Sequence, residues 1–467
     1  LSFSRAELSV LEKIRPLPEE IAHVGHVANQ LIGMVSSGGN AEGMLVGSVA
    51  RNTFVRGDRD LDIFMLFDPG LSREELEYEG LRLAKEIAEQ FGAEYREKYA
   101  EHPYINARID GLDVDLVPCY RVPSAAGIQS AVDRTPFHTR YIVDRIAPFT
   151  DDVLLLKQFA KGGGVYGSDQ MTEGFAGYLC ELLVLHYKGF HPLIEAAAGW
   201  KPGTVIDLNG HAAKKFTEPL VVVDPVDPNR NVSASLSLTR MCEFIELARG
   251  YIEHPSSAFF FPPEEEVISR EELREHLKFR GTCLYALVFD TPPLIEDIVV
   301  PQLRKSTDAI RALLERQGFL VNRCDCAMDE DLSMILLELL VDTLPAIRRH
   351  VGPPAWTKVN ALKFTEKYHD LRQLDLLAGP FIEDGNYVVE ISRNYPHARD
   401  LLKSHLVLEV GLGKHVKQSM EEFWELKEGD ECWMDPFSLF ITRFILKESP
   451  LMRIRRNEPP GGYPGPD

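Results

Sequence analysis

The stretch Val46-Gly47-Ser48 is followed, after eleven residues, by Asp60-Leu61-Asp62-Ile63. Two carboxylates at i and i+2 of a strand point to one face, about 6.5–7 Å apart along the chain. Like charges so placed repel and are costly to bury. A divalent cation removes that cost, and side chains of this length can converge on a pair of Mg²⁺ ions roughly 3.5–4 Å apart. Leu61, Ile63 and Phe64 anchor the strand in a core. Gly47 permits a tight turn and close backbone approach. Ser48 can start a helix whose N–H groups and dipole favour phosphate. Arg51, one turn on, adds a permanent charge with bidentate donors. One short segment would thus hold a triphosphate and the next strand the metals. A third carboxylate is expected from a neighbouring strand. Asp113 and Asp115 share a parity, and the apolar neighbours on both sides of Asp115 favour it. Asp-x-Asp alone is common by chance, as the polar face of an edge strand. The combination with Gly-Ser and a later strand carboxylate is far more specific.

These side chains need elements to carry them. Helical spacing runs over 4–14 and 18–37. A short apolar run ends at Gly47, and a β-like stretch covers 61–67. A helix is expected over 72–91, then β-like stretches near 93–99, 103–109 and 112–117. Residues 1–145 therefore read as a mixed α/β unit. Residues 146–260 read as helical, with helices over 151–160, 175–187 and 236–253 and a loop at Pro225–Asn229. Residues 261–450 show helix at 264–278, strand at 282–289, helix at 302–317 and strands at 318–324 and 332–341. Helices are expected at 355–368, 413–426 and 435–446. The β-α-β-β order with antiparallel pairing is of a kind used to grip RNA, among many other uses. The Pro/Gly-rich residues 451–467 read as a flexible tail.

The 467 residues are 45% hydrophobic and 26% charged, a globular composition, with 71 acidic and 51 basic side chains and a net charge of -20. Bulk charge therefore does not coat nucleic acid. By region the balance is 16 basic to 23 acidic in 1–145, 9 to 13 in 146–260 and 26 to 35 in 261–467. No region is a basic module, so any RNA surface must be made by sorting charges. Seven scattered cysteines argue against a disulfide framework. Cys324-Asp325-Cys326 lacks a second ligand pair for zinc. With no apolar leader in the first thirty residues and no membrane-length apolar run, a cytoplasmic protein is expected.

The motifs resemble the nucleotidyltransferase superfamily of DNA polymerase β and poly(A) polymerase. Further segments look like archaeal (class I) CCA-adding enzymes: Gly47–Thr53, Ala100–Tyr104, Asp115–Tyr120, Ser130–His138, Gly174–Leu183, Val223–Asp227 with Arg230-Asn231-Val232, Pro301–Leu303 and Gly413–Val416. The resemblance implies an α+β protein with a polymerase β-like nucleotidyltransferase head, a helical neck domain, and a C-terminal α+β RNA-binding body and tail. It implies template-independent addition of C, C and A to a tRNA 3′ end from CTP and ATP, with pyrophosphate released, and it admits a homodimer. By carry-over Asp60, Asp62 and Asp115 are the ligands of two Mg²⁺ ions. Gly47, Ser48, Arg51, Lys157 and Tyr166 hold the triphosphate, His138 contacts the nucleotide and Arg230 reads the base edge. His102 and Tyr104 lie near the primer end. Lys414 and His415 are candidates for tRNA backbone contact. Some archaeal members carry Glu where Asp60 stands here.

Taken singly, several of these residues have plainer readings. Lys157 sits in an apolar helix and would cover the core with its stem. His102 and His138 would be ordinary polar histidines, and Arg230 a solvated turn residue. The rival functions are another RNA nucleotidyltransferase, of the poly(A) polymerase or oligoadenylate synthetase type, and a non-catalytic RNA-binding protein. The segments after residue 220 argue against the first, and the presence of all three carboxylates against the second.

Overall fold

The computed structural model describes residues 3–38, 40–58, 60–99, 101–369 and 376–456. The chain divides into two compact units, residues 1–264 with 448–467, and residues 265–447.

The first unit opens with α1 (Arg5–Ile14) and α2 (Pro18–Ser37), then β1 (Ala41–Val46), a single-turn α3 (Gly47–Ala50), β2 (Asp60–Phe67), α4 (Arg73–Gln90), β3 (Tyr95–Tyr99), β4 (Pro103–Ile109) and β5 (Leu112–Tyr120). Capping boxes start α1 (Ser4 with Glu7) and α4 (Ser72 with Glu75) by satisfying first-turn N–H groups. The strands form one sheet in the order β1-β2-β5-β4-β3. Only β2 and β5 run parallel, with Asp60 beside Asp113 and Asp62 beside Asp115. Strand alternation gives the two faces different chemistry. Leu61, Ile63, Met65, Ile105, Ala107, Val114 and Leu116 are buried against α2 and α4. The other face carries Asp60, Asp62, Asp113 and Asp115 beside a small cluster of Val46, Phe64, Leu66, Val117 and Cys119.

The unit continues through α5 (Thr135–Ile146), α6 (Thr150–Gly162), α7 (Gly177–Tyr187), α8 (Phe190–Ala197), β6 (Thr204–Asp207), β7 (Leu220–Asp224), β8 (Asp227–Asn231) and α9 (Leu238–Glu253). An aromatic core centred on Phe159, Phe190, Phe244, Tyr251 and Phe260 joins these helices. The expected Pro225–Asn229 loop is instead split: Pro225 and Val226 make the tight turn of the β7–β8 hairpin, and Asp227–Asn229 begin β8.

The second unit holds α10 (Arg270–Arg280), β9 (Cys283–Asp290), α11 (Glu296–Gln317), β10 (Leu320–Met328), β11 (Leu332–Val341), β12 (Ile347–Pro354), α12 (Lys358–Lys367), β13 (Leu376–Glu383), β14 (Asn386–Ser392), α13 (Ala398–Leu402), α14 (Leu406–Glu409), α15 (Lys414–Glu422), β15 (Trp424–Glu428) and α16 (Ser438–Ile445). Its main sheet is antiparallel, in the order β10-β11-β9-β15. Both faces are covered, which is why Met334–Leu339 is almost continuously apolar. The expected helix over 413–426 ends at Glu422, and Trp424–Glu428 pairs with β9 instead. A second sheet, β12-β14-β13, has its own small core of Phe364, Tyr368, Leu376 and Val389.

The chain then returns to the first unit through α17 (Pro450–Arg456). Leu451 and Ile454 are 4% and 1% exposed. A flexible tail from residue 451 is therefore corrected for 451–456, where two apolar side chains one turn apart are buried. Residues 457–467 lie outside the described residues.

Candidate active site

The acids are assembled by strand register. One cross-strand row runs Val46–Asp62–Asp115–Asn106, and the next holds Asp60 and Asp113. Asn106 Nδ2 donates to Asp115 Oδ1 at 2.7 Å, fixing that carboxyl. Burial, then Asp115 and Asp60, push the Asp62 carboxyl up to about 6. Burial also raises Asp115, and desolvation with Asp58 and Asp113 raises Asp60. Gly47 is pinned twice. Its φ is +72°, and a Cβ there would stand 2.0 Å from Asp62 Oδ2. The residue that turns the chain after β1 thus leaves room for the central carboxylate.

Among the described residues no three His, Cys, Asp or Glu side chains converge closely enough to hold an ion. The donor set nevertheless fits a divalent cation. It is all oxygen, it lies on one open sheet face, and burial with two neighbouring carboxylates makes its central acid costly to ionise, a cost that a bound cation would relieve.

The expected phosphate segment is built differently from a helix-dipole site. α3 is only one turn long, so the field comes from side chains. Arg51 is 9% exposed, is ion-paired to Glu181 of α7 and lies over the Tyr178 ring. Thr53 Oγ1 donates to the other Glu181 oxygen at 2.5 Å. Lys157, 2% exposed, donates to the Thr53 carbonyl at 2.8 Å. Two cations against one carboxylate leave this cluster net positive. Burial lowers the Lys157 pKa, and Glu181 opposes that fall. Tyr166 and Lys157 meet over Gly177, where a Cβ would lie 3.2 Å from Tyr166 Oη and 3.5 Å from Lys157 Nζ. The three glycines before Tyr166 serve packing. Cβ atoms at Gly162 and Gly163 would strike Phe259 O and Leu247 Cδ1, each at 2.3 Å, and Gly164 has φ +68°. Ser48 is half-buried.

A second cluster centres on Asp224, 0% exposed at the end of β7. Its Oδ2 is 2.8 Å from His138 Nε2 and accepts from Arg230 at 2.8 Å. The His138 ring stacks on Tyr178 with centroids 4.3 Å apart. Burial lowers the His138 pKa while its bond to Asp224 opposes this. Tyr178 therefore touches both clusters, Arg51 on one side and His138 on the other.

The remaining candidates divide. His102 is 3% exposed, with Nδ1 3.4 Å from Glu77 and its ring edge-on to Tyr120. It faces inward, so it braces the sheet edge and does not offer a surface to RNA. Tyr104 is half-buried on the carboxylate face, packed on the Val46–Phe64 cluster. In the second unit His415 is tied to Gln302: its N–H donates to Oε1 at 2.8 Å, and Nδ1 is 3.1 Å from Nε2. Lys414 is exposed.

Residues 29–141 match the nucleotidyltransferase domain family, 151–261 the second domain of tRNA nucleotidyltransferases, and 280–429 the C-terminal domain of CCA-adding enzymes. A CCA-adding enzyme of Methanoregula boonei is 58% identical over 447 residues, 96% of each chain. One from Methanosarcina barkeri is 43% identical, over 90% of this chain and 93% of that one. The chain belongs to the archaeal CCA-adding enzymes. A solved structure of the Cid1 poly(U) polymerase overlays with a TM-score of 0.44 at 15% identity, over 54% of this chain and 96% of that one. Nucleotidyltransferases use nucleotide substrates and a divalent metal, in keeping with the donor set of this CCA-adding family member. No helix among the described residues is long and apolar enough to cross a membrane.

Sequence reasoning missed Glu181, Thr53, Tyr178 and Asp224. Two carried a legible signal. Glu181 is the lone acid in the apolar run Leu179–Leu185, and Asp224 ends the run Leu220–Val223. A charge in such a run is there because a partner awaits it.

Proposed function

We propose that the carboxylate face and the two clusters beside it are the nucleotidyl-transfer site of a CCA-adding enzyme. The enzyme adds C, C and A to the 3′ end of tRNA without a template. In this reading CTP and ATP are the donors and pyrophosphate is the leaving group. Asp60, Asp62 and Asp115 would hold two Mg²⁺ ions, which supply activation of the 3′-hydroxyl and charge neutralisation at the triphosphate. Asp60 is the most accessible of the three and would take the hydroxyl proton. Gly47 and Ser48 let the triphosphate approach the backbone. Lys157, Tyr166 and Arg51 give it a net positive wall, with Glu181 and Thr53 holding those cations in place. Arg230 and His138, sharing Asp224, present donors to the base edge. The register that sets Asp62 beside Asp115, with Gly47 against Asp62, is the observation that carries the reading.

The test offers tRNA ending at its discriminator base to the enzyme with CTP alone, ATP alone and both. Two C additions with CTP, none with ATP alone, and a stop after one A with both are expected. A long A tail would overturn the reading. Asp62→Asn should lower the single-turnover rate at least ~10²-fold, the scale of several kcal/mol of lost charge stabilisation, with tRNA binding retained. Near-normal transfer in that variant would remove Asp62 from the metal site.

A further inference from the structure

Strand β3 reads Tyr95-Arg96-Glu97-Lys98-Tyr99 and sorts its charges by parity. Glu97 faces the helix layer, where it pairs with Lys85 of α4 at 3.1 Å. Arg96 and Lys98 therefore face the other way, onto the carboxylate face. Arg96 lies across from Asn106 and Lys98 across from Tyr104. Asn106 in turn lies across from Asp115, and Arg108 across from Asp113. Arg96 thus ends the row Asp62–Asp115–Asn106–Arg96, about 10 Å from Asp115 at the usual strand spacing.

Arg96 and Arg108 are exposed and Lys98 is half-buried. None of the three forms a side-chain hydrogen bond or ion pair among the described residues. Arg108 forms none even with Asp113 directly opposite. On the helix side of the same sheet, by contrast, Arg73, Arg82 and Lys85 all pair with glutamates. In a chain with 20 more acids than bases, three cations that make no ion pair stand together on one face, where they are free to take an anionic ligand. Lys98 is also near enough to oppose the burial-driven rise of the Asp60 and Asp115 carboxyls.

We propose that Arg96, Lys98 and Arg108 form a phosphodiester-binding strip that holds the backbone of the RNA strand whose 3′ end is brought to Asp62 and Asp115. The inference rests on the nucleotidyl-transfer reading of the carboxylates. The strip sits on the side of Asp115 away from Gly47 and Ser48, so the RNA backbone and the incoming triphosphate approach the acids from opposite sides. Phosphate contacts of this kind position a strand without reading its sequence. This suits an acceptor end whose last nucleotide changes at each addition.

The test compares wild type, Arg96→Ala/Lys98→Ala/Arg108→Ala, the charge-keeping Arg96→Lys/Lys98→Arg/Arg108→Lys, and Arg82→Ala/Lys85→Ala as a control on the other face. KM for tRNA and for CTP, kcat, and the salt dependence of tRNA binding in EDTA are measured for each. The triple alanine variant should raise KM for tRNA at least about tenfold, with KM for CTP and kcat within about twofold. It should also flatten the log–log salt slope by about 2, for three single-strand phosphate contacts at roughly 0.7 each. The charge-keeping variant should restore both quantities, and the control should move neither. An unchanged tRNA KM and slope overturns the strip. So does a fall in kcat at unchanged slope, which would mean that the charges serve the carboxylates. If wild type itself extends no tRNA, the transfer reading fails, and the EDTA binding series still judges the strip.

Discussion

At the scale of single residues, the site depends on atoms that are absent as much as on those present. Gly47 leaves the space that Asp62 Oδ2 fills, and its backbone lies at φ +72°. An alanine there meets both obstacles. The left-handed backbone costs about 1 kcal/mol, and the methyl group must drive the carboxylate from its row with Asp115. Gly47→Ala is therefore expected to cut the single-turnover rate of CMP addition by ~10² or more. Its thermal midpoint should fall by only about 2–4 °C, the scale for 1 kcal/mol in a domain of this size. Rapid-quench kinetics beside a melting curve checks both. A large stability loss with an undisturbed rate would mean that Asp62 does not owe its position to Gly47. The three carboxylates were readable from spacing because i and i+2 on a strand share a face. Glu181 stands out in the sequence as the lone acid of an apolar run, but its partner was not readable there, because Arg51 lies 130 residues away and only the fold unites them.

At the scale of elements, the patterns that a core imposes were legible and those that it does not impose were hidden. Helices α1, α2, α4 and α9 and strands β2, β4, β5, β9 and β11 bury regular stripes or faces, and their apolar spacing marks them. The β12-β14-β13 sheet escaped notice. β12 opens Ile-Arg-Arg-His and ends in Gly-Pro-Pro, and β13 carries Gly379-Pro380 at a break in register. Among the described residues its core holds four buried side chains, so no alternation is forced on the strands. Glu338 illustrates the same limit in the main sheet. It reads as a flaw in the apolar run of β11, yet it is fully buried and receives Arg280, Thr282, Asn322 and Arg323. Burial would raise its pKa, but these donors outweigh burial and hold it at about 2, against 4.5 ordinarily. The folded pKa lies below the unfolded one, so the ionised carboxylate stabilises fully above pH ~4.5 and ceases to do so as the pH falls towards ~2. That difference is worth about 3 kcal/mol. Glu338→Gln should therefore lower the stability of the second unit by about 3 kcal/mol at pH 7, with the gap to wild type closing between pH 4.5 and 2. Urea titrations followed by tryptophan emission are weighted to this unit, because three of the four tryptophans, Trp356, Trp424 and Trp433, lie in it. A gap that stays constant with pH would show that Glu338 contributes by shape and not by charge.

At the scale of the whole molecule, the first unit is discontinuous in sequence, and its last helix arrives after the second unit has been completed. The Pro/Gly composition beyond residue 457 disguised this, since it drew residues 451–456 of α17 into the expected tail. The helix α17 docks on α9 at Gly250, where a Cβ would lie 2.3 Å from Leu451 Cδ1. The glycine inside α9 is thus a seat for a side chain 201 residues further on, as its number and that of Leu451 show. Leu451→Ala empties that seat. A buried leucine truncated to alanine typically costs 2–5 kcal/mol, and the loss should be confined to the first unit. Amide exchange is expected to quicken along α9 and α6, which share the core reached by Leu451 and Ile454, while β9 and β11 keep their protection. The carboxylate sheet packs on a separate core, so nucleotide transfer at low temperature should survive even as the melting point falls. Loosening of β9 and β11 together with α9 would show instead that the two units unfold as one, and that the closing helix stabilises the entire chain and not its first unit alone.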